Sequence, residues 1–148
     1  MAQQTEADDD DEQGREVQTP RPTVVPLSSV PVTPADSWPE RLDVANMITR
    51  GEHGSEVLLG AAWMEPGQEC NPWSFEDEDP QIDGMTFYGP THETYFVLRG
   101  TLQLSWNGGS LEAGPDDAVY LAPGYRYALR CVGDEPAYFL WSMSPPPV

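Results

Sequence analysis

The chain has 148 residues, of which 39% are hydrophobic and 22% charged, enough for one domain with a core and a polar appendage. Its 25 acidic residues face 7 arginines and no lysine, and the resulting formal charge of −18 repels nucleic-acid phosphates and anionic lipid, which argues against both as partners. No apolar run reaches the roughly 18 residues that a spanning helix needs, and Met1-Ala2-Gln3-Gln4-Thr5-Glu6 lacks the basic-then-apolar order of a secretory signal, so a cytoplasmic protein is expected.

Residues 1–36 hold the run Asp8-Asp9-Asp10-Asp11-Glu12 and then Pro20, Pro22, Pro26, Pro31 and Pro34. With few aromatics to bury, such a segment cannot offset its conformational entropy by packing and is expected to be a disordered or extended tail. Within it, Val24-Val25-Pro26-Leu27 is a short apolar arm suited to lying along a barrel or a partner subunit. Residues 37–54 read as a lead-in arm. Ser37-Trp38-Pro39-Glu40 has the form of a capping box with proline just inside a helix start, which predicts a helical turn over 38–44; Met47-Ile48-Thr49 and the turn Gly51-Glu52-His53-Gly54 then begin a hairpin.

From residue 55 to 146 short apolar stretches alternate with turns. Strands are predicted at Glu56–Met64, Tyr95–Leu98, Thr101–Trp106, Ala118–Leu121, Tyr127–Val132 and Ala137–Trp141, with a hairpin turn at Asn107-Gly108. No amphipathic run of helical length occurs here, so the class is all-β, a closed or sandwich-like barrel. Cys70 and Cys131 lack any CxxC spacing and read as buried free thiols.

Two segments carry a family resemblance. In the first, Gly67 is followed after five residues by Trp73-Ser74-Phe75, then by a 17-residue gap, then by Glu93 and, after six more residues, Gly100. In the second, Asp117 leads through Pro123 and Gly124 to Tyr127, with Cys131 four residues later. The order resembles the two signature motifs of the cupin superfamily, and the resemblance implies a double-stranded β-helix, or jelly-roll barrel, over residues 55–146. Those motifs ordinarily supply three histidines and a glutamate to a metal; here Trp73, Phe75 and Tyr127 stand at the histidine positions and Glu93 alone remains. The Glu-x-Tyr-x-Val-Leu-x-Gly-Thr-Leu run and Phe139-Leu140-Trp141 are similar to the histidine-poor ethanolamine-utilisation cupins. The family also implies a homodimer.

Glu93, partly desolvated beside aromatic rings, is the expected general acid or base, and Tyr127 the expected proton donor or partner to it. His92 is a third candidate catalytic group, although strand alternation turns it away from Glu93 unless the chain bulges there. Trp73, Phe75, Tyr95 and Arg126 are candidates for binding the substrate, the rings by lining a cavity and the guanidinium by pairing an anionic group. The acidic insertion after Phe75 reads as a loop over the barrel mouth.

The leading reading is therefore a cupin that handles a small organic metabolite without the three-histidine metal centre, by isomerase, lyase or cyclase chemistry based on proton transfer. No cofactor is predicted. A second reading is a non-catalytic ligand-binding or assembly cupin. A third is an enzyme whose divalent metal is held by His92, Glu93 and Tyr127.

Overall fold

The computed structural model describes residues 21–34, 42–70, 91–106, 108–123 and 127–146, and the backbone of 81–82 and 85–86. The strands are β1 (Asp43–Ile48), β2 (Leu58–Met64), β3 (Glu69–Cys70), β4 (Gln81–Ile82), β5 (Met85–Thr86) and β6 (His92–Arg99). They continue as β7 (Thr101–Trp106), β8 (Gly109–Ala113), β9 (Ala118–Leu121), β10 (Ala128–Val132) and β11 (Ala137–Ser144). The fold is the expected all-β jelly roll: a five-stranded sheet ordered β1-β2-β11-β6-β9 and a four-stranded sheet ordered β3-β10-β7-β8, with a β4-β5 ribbon. Every named strand pair is antiparallel.

Register decides which residues share the interior, because paired residues on adjacent strands point to the same face. In the five-stranded sheet one inward row is Leu58, Met143, Glu93 and Leu121; the next is Gly60, Trp141, Tyr95 and Val119; a third is Ala62, Phe139 and Val97. The opposite sheet contributes Leu129 with Leu104 and Cys131 with Leu102. Phe139, Leu58, Met64, Leu102, Leu104, Leu129, Val97 and Cys131 are the largest fully buried side chains, so the core fills the space between the sheets. Cys70 and Cys131 are both buried thiols outside any disulfide.

The approach to the barrel differs in detail from the sequence reading. Residues 38–41 of the expected helical turn lie outside the described residues, while Asp43 and Val44 begin β1. Asp43 and Val44 are paired with Trp63 and Ala62 of β2, so the chain is already extended at these two positions. The predicted turn after β1 closes into a single α-helical turn, α1 (Arg50–His53). The Thr49 hydroxyl accepts from the Glu52 N–H at 3.1 Å, and Gly54 ends the turn at φ 65°. Residues 21–34 run extended apart from a 3-10 turn at Leu27–Ser29, and Thr33 pairs with Val44, so this stretch lies along β1. Residues 1–20, with the acidic run, lie outside the described residues. Strand β8 is not among the predicted strands. It is a polar edge strand, mostly exposed, and Leu111 is itself exposed.

Gly100 makes the tight connection from β6 to β7. It sits at φ 74°, and a Cβ there would stand 2.5 Å from the Pro136 carbonyl oxygen. Glycine alone meets both conditions, which is why the framework glycine seven positions after Glu93 matters to the placement of β6.

Candidate functional site

Strand β6 delivers the site through simple alternation. Tyr95 and Val97 are buried and Glu93 half-buried, while His92, Thr94 and Phe96 face outward and are exposed. Glu93 and Tyr95 are therefore neighbours on one inner face. Tyr127, immediately before β10, comes from the opposite sheet and meets them across the barrel.

The Tyr95 hydroxyl oxygen lies 2.9 Å from Glu93 Oε1 and the Tyr127 hydroxyl oxygen 2.8 Å from Glu93 Oε2, both at hydrogen-bonding distance. The two hydroxyl oxygens are themselves 2.5 Å apart. Their rings meet edge to face with centroids 6.4 Å apart, and Phe139 packs edge-on to Tyr95 at 5.3 Å. Tyr95 is 5% exposed and Tyr127 2%. Three oxygen-bearing groups thus form a compact polar cluster within an apolar core.

Burial governs the electrostatics. Removal from water raises the Glu93 carboxyl above its ordinary 4.5, and the hydrogen bonds from Tyr127 and Tyr95 oppose that rise without cancelling it. Burial, and then the charge of Glu93, push both tyrosine hydroxyls well above 10. Phenolates are disfavoured here, so both tyrosine hydroxyls keep their protons.

Of the residues singled out in the sequence, Glu93, Tyr127 and Tyr95 come together. His92 does not join them: it sits on the outer face, where its Nδ1 is 2.8 Å from the Tyr120 hydroxyl. Trp73, Phe75 and Arg126 lie outside the described residues. The sequence places Tyr95 as a substrate-binding ring. The structure adds that its hydroxyl reaches back two positions to the carboxyl, which period-2 alternation permits but does not reveal. Trp141 is a further feature of the same inner face. Its indole packs over Gly60, where a Cβ would stand 2.5 Å from Nε1, and its buried N–H has no hydrogen-bond partner among the described residues.

The donor set does not suit the metal that the family resemblance implies. Trp73 and Phe75 offer no ligating lone pair. Each carboxyl oxygen of Glu93 already faces a tyrosine hydroxyl. Among the described residues no three His, Cys, Asp or Glu side chains converge.

Comparison with known proteins agrees with the fold. The sequence pattern of the family described as "Cupin domain" matches residues 83–143, a span that contains Glu93, Tyr95 and Tyr127. No curated protein matches the chain by sequence. Among solved structures, a predicted oxalate decarboxylase from Thermotoga maritima superposes with a TM-score of 0.63 at 14% identity, covering 84% of this chain and 100% of that one. The polyketide cyclase RemF from Streptomyces resistomycificus gives 0.62 at 14% identity, covering 85% and 81%. A putative ethanolamine utilisation protein Q from Salmonella typhimurium LT2 gives 0.51 at 15% identity, covering 70% and 69%. At these identities the likeness speaks to the fold. With the matched segment, the two facing sheets and Glu93 seven positions before its framework glycine, the chain has the cupin fold and carries the cupin-domain pattern over residues 83–143.

Proposed function

We propose that this cupin acts on a small organic molecule by proton transfer at Glu93, with Tyr127 and Tyr95 as hydrogen-bonded partners. The observation that supports it is the placement of one carboxyl between two tyrosine hydroxyls inside an apolar barrel. A half-buried carboxyl whose pKa is raised is a stronger base once ionised than an ordinary one, and a phenol beside it can relay the proton or stabilise developing negative charge on oxygen. Isomerisation, elimination and cyclisation all proceed through such transfers. That a polyketide cyclase shares the fold is compatible with this class and does not choose within it.

The surroundings bear on the substrate's charge. Arg21, Arg50, Arg99 and Arg130 are all exposed. Arg99 lies over the Tyr138 ring, while Arg50 pairs with Glu56 and Arg130 with Glu69. These four arginines are not aimed at the cluster, which leaves Arg126, next to Tyr127 in sequence, as the candidate for pairing an anionic group of the substrate.

A thermal-shift screen tests this directly, because a ligand that binds the folded state raises its apparent stability. Uncharged ketones and phenols are compared with carboxylates of the same carbon skeleton, and binders are followed by NMR for proton rearrangement. Stabilisation by one of these compounds and its rearrangement, the rearrangement lost in Glu93→Gln, is the expected result. Rearrangement that survives Glu93→Gln contradicts it.

The second reading, a binding or assembly cupin without turnover, is favoured by the near-complete burial of Tyr95 and Tyr127. Under it the cluster joins the two sheets, and the same screen gives binding without rearrangement. The homodimer and the cytoplasmic location belong to either reading; among the described residues no helix is long and apolar enough to cross a membrane.

A further inference from the structure

The cluster can be counted in protons. It contains three oxygen-to-oxygen contacts: Tyr95 to Glu93, Tyr127 to Glu93, and Tyr95 to Tyr127. Each contact needs one proton between its two oxygens, since bare lone pairs at 2.5 Å repel. The two phenols supply one proton each. If both donate to a carboxylate, none is left for the contact between the hydroxyls.

The geometry points to a neutral glutamic acid at Glu93, whose proton completes a ring of three O–H···O bonds. In this ring Glu93 donates to one tyrosine, that tyrosine donates to the other, and the second returns a bond to the free carboxyl oxygen. The sense of rotation can reverse without moving a heavy atom. Each of the three protons then lies between two oxygens, and a buried polar network requires such satisfaction if it is not to destabilise the core. A carboxylic acid kept neutral by an apolar site is an established way of placing a hydrogen-bond donor where negative charge develops.

The titratable groups facing the ring are consistent with this state. Tyr95 is on the same strand as Glu93, Tyr127 comes from the opposite sheet, and Cys70 on β3 acts on both tyrosines. Burial favours the neutral form of all three oxygen groups. Among the described residues facing the ring these are phenols and a thiol, and neither supplies the positive charge that would hold a carboxylate in the interior.

The protonated start sets the order of the reaction, which rests on the proton-transfer reading. An acid that begins neutral acts first as a donor. Glu93 passes its proton, directly or through Tyr127, to the oxygen of a carbonyl compound; the carboxylate so formed takes a proton from the carbon next to that carbonyl. The C–H bond breaks, an O–H bond forms, the C=O becomes the C–O of an enol, and Glu93 is neutral again. No oxidant or co-reactant enters.

The ring itself is tested without any substrate. Infrared difference spectra of the wild type minus Glu93→Gln, taken at about pH 6 where an ordinary glutamate is ionised, are expected to show the C=O stretch of a protonated carboxyl that shifts in D2O. The band is expected to persist when Zn2+ or Mn2+ is added in stoichiometric amount. If Glu93→Gln does not fold, wild type labelled with 13C at the glutamate side-chain carboxyl serves instead. One carboxyl resonance should then sit at the protonated position at about pH 6 and be the one perturbed by Tyr127→Phe. A carboxylate signal for Glu93 at that pH, or loss of the protonated band on adding the metal, overturns the inference. Absence of turnover beside an intact band would overturn the reaction and leave the ring standing.

Discussion

Tyr95 and Tyr127, 32 positions apart in sequence and on opposite sheets, bring their hydroxyl oxygens to 2.5 Å and share the two oxygens of one carboxyl. This contact ties the sheets together at the same place where the proposed chemistry occurs. Stability and function are therefore read at the same residues, and variants must separate the two.

Tyr127→Phe removes one hydroxyl from a buried network and keeps the ring that packs against Tyr95. It is expected to cost about 1–2 kcal/mol, the usual scale for losing a buried hydrogen bond without making a large cavity. Urea titration followed by tryptophan fluorescence measures it. A variant as stable as wild type would show that the hydroxyl contributes nothing net to the fold.

Glu93→Gln and Glu93→Ala should diverge. The amide has an acceptor oxygen and donor hydrogens, so it can replace a neutral acid in the ring, and stability within about 1 kcal/mol of wild type is expected near neutral pH. Alanine strands both hydroxyls and is expected to cost about 1–3 kcal/mol more than glutamine does. Equal losses from the two, measured by the same urea titration, would mean that the hydrogen bonds to the carboxyl are not what holds the cluster.

The pH dependence has a definite sign. The folded-state pKa of Glu93 is raised above its ordinary 4.5, chiefly by burial. The stability contributed by the neutral acid is thus fully present below the unfolded value and is lost as pH rises through the folded value. Wild type measured against Glu93→Gln should lose relative stability as pH rises from about 5 towards 8. The opposite slope would place the folded pKa below the unfolded one.

Gly100→Ala tests the framework. An alanine at φ 74°, with its Cβ 2.5 Å from the Pro136 carbonyl oxygen, meets both backbone strain and a clash. It is expected to destabilise the protein by about 2 kcal/mol or more, since the left-handed conformation alone costs roughly 1–2 kcal/mol. Chemical denaturation checks it. A neutral substitution would mean that the β6–β7 connection relaxes freely.

Part of this arrangement is legible in the sequence. Alternation along His92-Glu93-Thr94-Tyr95-Phe96-Val97 sends Glu93, Tyr95 and Val97 inward and His92 outward, as found. The approach of Tyr127 to Glu93 follows from the motif resemblance and not from spacing, because nothing local encodes which residues of two facing sheets will meet. The hydrogen bond from Tyr95 to Glu93 depends on side-chain rotamers, which a pattern of faces leaves open. Strand β8 has no such signal: Gly109-Ser110-Leu111-Glu112-Ala113 is a polar edge whose one large apolar residue, Leu111, is exposed, so a search for apolar stretches passes over it. Trp73, Phe75 and Arg126 stay as sequence-based candidates for the substrate side of the site.

The most direct test of proton transfer at Glu93 is exchange at carbon. A ketone that stabilises the protein is incubated with it in D2O, and deuterium entry next to the carbonyl is followed by NMR. Wild type is expected to catalyse the exchange, and Glu93→Gln to slow it by about 100-fold or more, the scale of a lost general acid–base group. Exchange at the wild-type rate in a folded Glu93→Gln protein would contradict the account.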